Sequence, residues 1–249
     1  MERRGPSAYI AELLGTMILV FAIGMVLALN QATSKGLGYT DFAVIGLVHV
    51  FVLAMLIHTL GGTSGAHFNP AVTVVMAVLK KIRVAEAGVY VVLQCLGGVL
   101  GALLVKLLLD DEGDAVHYGS VGISQKFISG SASVAFAAEL IGTFLLVWAI
   151  MGAAVNPRSN ADWAPWMIGA TLGMAVMIIG PLTGAGFNPA RAFGPAVVGD
   201  SFGEAGKWIL AYVVGPVVGA LLAGIGYTQL VLRPRGEDPG ERPVDKLDS

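Results

Sequence analysis

The chain has 249 residues, of which 55% are hydrophobic and only 13% are charged. Soluble globular domains carry about 25% charged residues. This composition, with a mean hydropathy of +0.76, therefore excludes an ordinary soluble domain and indicates an integral membrane protein. The formal net charge of −2 points to no class of partner, and no nucleic acid is expected. The single cysteine, Cys95, cannot form an internal disulfide.

Six apolar runs of about 20 residues predict six membrane-spanning helices, since that length crosses the hydrocarbon core of a bilayer. Two shorter apolar segments, 69–80 and 188–198, are left over. As helices they would be only ~16 Å long, about half the thickness of the ~30 Å core. The six predicted spans cover residues 8–29, 42–60, 86–109, 132–154, 164–182 and 207–231.

The chain contains an internal repeat. Residues 8–24 (AYIAELLGTMILVFAIG) match residues 135–151 (AFAAELIGTFLLVWAIM) at ten of 17 positions. Further along, 65–72 (GAHFNPAV) and 184–191 (GAGFNPAR) agree at six of eight positions. The repeating unit is therefore two spans, a short helix and a third span. Because three spans is an odd number, the second unit must be inverted in the membrane relative to the first.

Each short segment begins with the same pair, Asn69-Pro70 and Asn188-Pro189. Asn is a preferred N-cap, and Pro suits the first helical position because its missing N–H is not needed there. In an inverted repeat the two short helices enter from opposite faces and begin deep in the membrane. Backbone that leaves the helical form at that depth must be buried in protein or line water. This predicts a water-lined path where the two helix starts meet.

The predicted fold class is therefore an all-α integral membrane protein with six transmembrane helices plus two re-entrant half-helices in an inverted repeat. One domain is expected to cover 1–249, with the first repeat at about 8–109 and the second at about 132–231. The tail at about 233–249 is charged and rich in Pro and Gly, and is expected to be disordered.

The distribution of Lys and Arg among the short loops predicts the orientation, because cytoplasmic loops carry an excess of both. One side holds eight of these residues and the other holds three, so both termini are expected in the cytoplasm, most simply at a plasma membrane. The eight are Arg3, Arg4, Lys80, Lys81, Arg83, Arg158, Arg233 and Arg235, and the three are Lys35, Lys126 and Lys207.

The paired Asn-Pro-Ala stretches, the Ala-Glu-x-x-Gly-Thr openings of both units and the Asn-Pro-Ala-Arg ending resemble the aquaporin (major intrinsic protein) family. The resemblance covers about residues 8–230. It implies a pore in every subunit, a homotetramer in the lipid bilayer, and passive flow of water and small neutral solutes without a cofactor. The motif residues are Asn69, Pro70, Ala71, Asn188, Pro189 and Ala190.

A physical argument supports the same interpretation. Two helix N-termini that face the midplane place positive dipole ends there. The capped Asn69 and Asn188 can point amide donors into the pore. A water that accepts from both must turn its own hydrogens outward, which breaks a proton wire, and the positive field repels cations. The alternative is that each Asn is only a helix cap; the mirrored pair favours the pore.

Arg191 lies on the first turn of the second half-helix, where a charge normally faces a cavity. The alternative is a side chain that reaches the membrane surface. The resemblance implies that Arg191 forms a selectivity filter with His49, Val176 and Ala185. Strict water channels of the family usually have an aromatic residue in the second span and His in the fifth. The pattern here resembles plant tonoplast aquaporins, several of which pass ammonia as well as water, and implies a wider opening.

Three other histidines need separate interpretation. His117 resembles an extra filter histidine of ammonia-conducting relatives; the alternative is an exposed loop residue. His67, two residues before Asn69, is expected to line the inner vestibule or to brace its loop. His58 follows His49 by nine residues and so faces the other side of the span, where we expect it to be packed or hydrogen bonded between helices.

Glu12 and Glu139 occupy matching positions of the two repeats. A carboxylate within a span often has a transport role. The family resemblance instead implies structural support, in which each carboxylate braces a re-entrant loop through its backbone amides.

Residues after Arg191 and in the last span bear on whether the resemblance is to water-conducting or to glycerol-conducting relatives. Glycerol-conducting relatives usually have Asp directly after the motif Arg and a basic residue five positions past it; here these positions are Ala192 and Ala196. This favours water. Tyr212-Val213 stands where water channels often have an aromatic pair, so a glycerol- or urea-permeable channel stays open as an alternative.

The sequence speaks against two other classes of protein, coupled transporters and enzymes. A coupled secondary transporter can also be built from inverted repeats with broken helices, but apart from Arg191, Glu12 and Glu139 the spans hold nothing that resembles an ion relay. The sequence offers no nucleophile–base pair and no His spacing typical of a metal site, so neither an enzyme nor a metal centre is expected.

Overall fold

The computed structural model describes residues 5–33 and 38–233. Within these ranges every regular element is helical, and six helical stretches are long and apolar enough to cross a membrane. Arg3, Arg4, Lys35, Arg235 and the tail predicted to be disordered lie outside the described residues, apart from Arg233 at its start. Spans one to six are Pro6–Thr33, Asp41–Ser64, Val84–Leu108, Ala132–Val155, Ala161–Thr183 and Ala205–Leu232.

The six predicted spans are confirmed, and most are longer than their apolar runs. Span one, for example, continues to Thr33, because helical hydrogen bonding does not stop where the side chains become polar. Three spans also contain turns that are not α-helical. Span four ends in a π-helical turn, Met151–Val155, and span six holds two more, Leu210–Val214 and Thr228–Leu232. Span five begins with the 3₁₀ turn Ala161–Trp163.

The two short segments are helices of nine and ten residues, Pro70–Val78 and Pro189–Val198. We call them the first and second half-helix. Each has Asn as N-cap and Pro at its first position, as the sequence predicts. Three further short helices lie between spans three and four, at Asp110–Asp114, His117–Gly119 and Gln125–Ile128.

The packing follows the repeat. Span one packs on span three, and span four packs on span six, so the same pair forms within each half. Spans two and five join the halves. Each half-helix packs against a span of the opposite half, the first on span six and the second on span three. The two helix starts are therefore held toward each other at the centre of the molecule.

Glycines in spans one and four permit this arrangement. A Cβ atom at Gly15 would collide with the ring of Phe68, and one at Gly142 would collide with the ring of Phe187. Both phenylalanines precede a half-helix and are fully buried. Each re-entrant loop therefore inserts a phenylalanine ring into a space that exists only because the facing residue of the span is glycine.

A candidate pore between the half-helices

A cavity of about 200 Å³ passes the starts of both half-helices. Leu19, Ile23 and Leu172 are among the apolar side chains that form much of its wall. Five predicted site residues also line this cavity, and they come from both halves of the molecule. They are His49, His67, Asn69, Asn188 and Arg191.

The two motif asparagines are linked to each other's loops. Asn69 donates from Nδ2 to the carbonyl of Phe187 at 2.9 Å, and Asn188 donates from Nδ2 to the carbonyl of Phe68 at 2.8 Å. Each Oδ1 caps its own half-helix by accepting from the amide of Ala71 at 2.9 Å or of Ala190 at 3.0 Å. The orientation of each amide is thus fixed at both ends. An amide nitrogen carries two hydrogens, so each Asn keeps one N–H beyond the bond to the opposite loop.

The loops that lead to the asparagines adopt a strained conformation. Ala66, Phe68, Ala185 and Phe187 all have φ between 48° and 51°, a left-handed region that non-glycine residues rarely occupy. Such strain persists only where the surroundings over-determine it. The strained positions occur as two pairs related by the repeat, which indicates that both loops need the same backbone shape.

Glu12 and Glu139 supply that restraint. Glu12 accepts from the amides of His67 at 2.9 Å and Phe68 at 2.7 Å. Glu139 accepts from the amides of Gly186 at 2.8 Å and Phe187 at 2.6 Å. Both carboxylates are fully buried. Each also accepts from a hydroxyl at the end of the preceding span, from Ser64 and from Thr183 respectively, at 2.6 Å.

Arg191 is buried, with 2% of its surface exposed. Its Nη1 donates to the carbonyl of Gly119 at 2.8 Å, and its Nη2 lies 3.5 Å from the carbonyl of Gly184. Within the described residues, its Nε has no hydrogen-bond partner. The side chain is therefore turned inward among carbonyls and the cavity rather than reaching a membrane surface.

His49 is 2% exposed, and its Nδ1 lies 2.8 Å from the carbonyl of Ile45. A carbonyl only accepts, so Nδ1 carries the proton and Nε2 of the neutral ring holds a lone pair. No protein atom of the described chain bonds to this Nε2. Val176 and Ala185, each 1% exposed, belong to the buried apolar cluster beside the cavity but are not among its lining residues. A filter role for these two stays a prediction.

The remaining histidines differ in placement. His67 is among the lining residues of the cavity, and its backbone amide donates to Glu12; a vestibule role for it stays a prediction. His117 is exposed and does not line the cavity. His58 does face away from the side that carries His49, but it is exposed. The prediction of a packed His58 was wrong, because that face of span two turns to the outside of the molecule.

Sequence reasoning missed several groups of this site. The hydroxyls of Ser64 and Thr183 could have been found, since they occupy matching positions just before the two motifs. Gln94 had a signal as well, because it is an amide in the middle of an apolar span. The carbonyl of Gly119 had none: it bonds to Arg191 across 72 residues of sequence.

Comparison with known proteins identifies the family over most of the chain. The family model "Major intrinsic protein" matches residues 4–227. The chain is 36% identical to the probable aquaporin AqpM of Archaeoglobus fulgidus, over 89% of this chain and 96% of that protein. It is 35% identical to the probable aquaporin TIP2-2 of Arabidopsis thaliana, over 88% and 85% of the two chains. The X-ray structure of the aquaglyceroporin from Plasmodium falciparum superposes with a TM-score of 0.77 at 24% identity, over 92% and 97%.

Proposed function

The chain belongs to the major intrinsic protein (aquaporin) family of non-enzymatic channels for water or small solutes, and we propose that it is a passive pore for water and small neutral solutes such as ammonia. We propose further that the pore excludes protons and ions. The protein is a multi-pass membrane protein with six spans.

The observation that carries this proposal is the reciprocal bond between the two asparagines and the opposite loops. Asn69 and Asn188 each keep an amide hydrogen for a solute in the cavity they line. A water that accepts from both donors orients its hydrogens away from the centre in both directions. A proton cannot then hop along the water column, and the two half-helix N-termini add a positive potential against cations.

Ammonia is supported by the pairing of His49 with Arg191. The unprotonated Nε2 of His49 can accept, while the guanidinium of Arg191 can only donate. Water and ammonia have both a donor and an acceptor and can satisfy the two groups together. Ammonium has no lone pair to accept from Arg191 and is repelled by its charge. The pair therefore favours the neutral molecule over the ion.

The family relationship supports the proposed subunit assembly, and the positive charges of the loops support the proposed orientation in the membrane. We propose a single channel domain over 1–249 and a homotetramer in which each subunit has its own pore, because residues of one chain line the cavity. The loops that join spans two to three and four to five hold Lys80, Lys81, Arg83 and Arg158. These residues lie on the side where span one begins and span six ends, which supports cytoplasmic termini at the plasma membrane.

The test is stopped-flow light scattering on vesicles that contain the purified protein. Water efflux should be several-fold faster than from empty vesicles, and entry of ammonia should raise the internal pH faster. The water efflux rate should persist after a protonophore collapses the proton gradient. Loss of flux under that condition would instead show a coupled transporter, and glycerol or urea uptake as fast as that of ammonia would show the solute-permeable alternative.

A further inference from the structure

Span four does not end as its repeat counterpart, span one, does. Span one is α-helical to Thr33, whereas span four ends in the π-helical turn Met151–Val155. The amide of Asn156 closes this turn by donating to the carbonyl of Met151, five residues back, at 2.8 Å. Asn156 itself is extended, with φ −68° and ψ 117°, because a residue before proline avoids the α-helical conformation. The Asn156-Pro157 pair therefore ends the span at Val155.

The π-helical turn affects which residues of span four line the cavity. In an unbroken α-helix, Val155 would lie about 140° around the axis from Ile150. A turn that is closed by a bond between residues five apart instead brings the two toward one face. Both line the cavity, as do two further residues of this span. The four are Leu146, Ile150, Ala154 and Val155.

The first half of the molecule supports this reading. At the offset of 127 that relates spans one and four, Leu27 and Ala28 match Ala154 and Val155. Leu27 and Ala28 lie in the unbroken α-helix of span one, and neither lines the cavity. The cavity therefore extends further along span four than along span one. We call the end of the cavity that Ala154 and Val155 line the inner mouth.

A hydrogen bond joins the end of the π-helical turn to span six. Asn156 donates from Nδ2 to Tyr227 Oη at 3.0 Å. Its Oδ1 accepts from the backbone amide of Arg158 at 3.0 Å. Because that amide can only donate, the NH₂ of Asn156 is the group that faces Tyr227. A Cβ atom at Gly152 would lie 3.5 Å from Tyr227 Oη, so the hydroxyl also lies beside the middle of the turn.

Tyr227 is itself held in place by span four. Its side chain is buried, with 7% exposed. Its ring meets that of Trp148 edge to face at 5.0 Å, and Trp148 stacks on Phe144 at 5.4 Å. On span one, the position that matches Asn156 is Leu29, which cannot make such a bond. The inverted repeat therefore does not need this bond for its fold, and the bond is particular to the end of span four.

We propose that Asn156 and Tyr227 are positioning residues that hold the end of span four in its π-helical turn and thereby set the width of the inner mouth. Ala154 and Val155 offer only apolar side chains there. The width of the mouth, rather than a hydrogen bond from these two residues, then governs the entry of a neutral solute. This consequence for transport rests on the proposed function, whereas the position of Val155 does not.

The direct test measures how fast a water-soluble methanethiosulfonate reagent modifies the thiol of Val155→Cys. The variant is made with Cys95→Ala, so that the chain has one thiol. The full-length protein is placed in lipid nanodiscs, where the reagent reaches both faces of the membrane, and mass spectrometry follows the modification. Adding Tyr227→Phe should slow it roughly two- to tenfold, the range for loss of one net hydrogen bond, because the last turn can then return to α-helical bonding.

The matched control is Ile141→Cys, at a position of the same span that is 52% exposed and does not line the cavity. Its thiol should react more slowly than that of Val155→Cys, and Tyr227→Phe should not change its rate. Equal rates for Val155→Cys with and without the Tyr227 hydroxyl would overturn the proposal. So would a thiol in Val155→Cys that is no more reactive than the thiol of the control.

Variants of Asn156 separate the bond from a general loss of structure. Asn156→Leu, the residue found on span one, should slow the modification of Val155→Cys as Tyr227→Phe does, and the two together should slow it no further. Asn156→Asp should keep the original rate, because its carboxylate can accept from the Tyr227 hydroxyl and from the amide of Arg158. Additive effects of the first two changes, or a slow rate in Asn156→Asp, would overturn the positioning role.

Water flux distinguishes this proposal from the proposed function. In vesicles, modification of Val155→Cys should reduce water efflux several-fold, because the added group occupies the inner mouth. An efflux that stays unchanged after complete modification would overturn the assignment of Val155 to the mouth. Vesicles of the unaltered protein that show no water flux would count against the proposed function alone, since the modification rates do not depend on transport.

Discussion

The guanidinium of Arg191 donates from Nη1 to the carbonyl oxygen of Gly119 at 2.8 Å. Arg191 lies in the first turn of the second half-helix, whereas Gly119 belongs to the connection between spans three and four. A buried cation is stable only where polar groups compensate its lost hydration. The position of this connection therefore decides where the charge of Arg191 lies in the cavity.

The turn that carries Gly119 is strained and anchored. His117, Tyr118 and Gly119 have φ of 45°, 54° and 95°. Tyr118 is 2% exposed, donates its hydroxyl to Asp110 Oδ1 at 3.0 Å, and holds the Lys106 ammonium 5.2 Å from its ring centre. Burial raises the pKa of this phenol, and the bond to Asp110 raises it further. The phenol thus stays protonated and keeps donating.

Tyr118→Ala should loosen this turn and let the Arg191 headgroup move. We expect urea and glycerol permeability to rise roughly threefold relative to water, as for loss of one hydrogen bond, measured by stopped-flow on vesicles. Tyr39→Ala is the matched control, because Tyr39 is 69% exposed. If Tyr118 acts through Arg191, its replacement should add nothing in an Arg191→Val background. Additive effects of the two changes would contradict that route.

Arg191→Val should widen the cavity. It would also remove the only Lys or Arg side chain that is buried among the described residues. Urea and glycerol fluxes are expected to rise at least about tenfold relative to water, because a solute no longer has to fit beside a charged donor. The measurement is the ratio of solute to water permeability per channel. If this ratio equals that of the unaltered protein, Arg191 does not form the constriction.

His49→Phe should reduce the ammonia flux relative to the water flux. The change removes the acceptor Nε2 and adds volume at a buried position, and one hydrogen bond corresponds to roughly a two- to tenfold change. Ammonia entry can be followed with an internal pH dye, and water efflux by light scattering. His58→Phe, at an exposed position of the same span, should alter neither. If both fluxes fall by one factor in His49→Phe, His49 is not selective.

Glu139→Gln should destabilise the protein, because in either orientation the amide would present its NH₂ to the backbone N–H of Gly186 or Phe187, which can only donate. Leaving one such buried donor without an acceptor costs about 1–3 kcal/mol. The melting temperature of the detergent-solubilised protein should therefore fall, and Glu12→Gln should behave alike. Glu112→Gln, an exposed acidic residue between spans three and four, is the control. A melting temperature equal to that of the control would show that the carboxylate does not hold its loop.

Much of the fold could be predicted because it depends on local properties. Apolar length predicts the spans, the odd number of spans per repeat predicts the inversion, and Asn-Pro predicts the half-helix starts. The site was predicted less completely. The caps of Asn69 and Asn188 are local, but their bonds to Phe187 and Phe68 join residues 118 and 120 positions apart. No sequence pattern specifies those partners.

The sequence by itself determined the membrane class, the repeat, the family and the side chains available to the pore. These follow from composition, periodicity and motifs, which are readable residue by residue. Only the tertiary structure decided how those side chains are used. It set Nδ1 of His49 against the carbonyl of Ile45, and it placed the Gly119 carbonyl against Arg191. The reason is physical: a proton position or a buried charge depends on which partner is within hydrogen-bond distance, and packing of distant segments sets that distance.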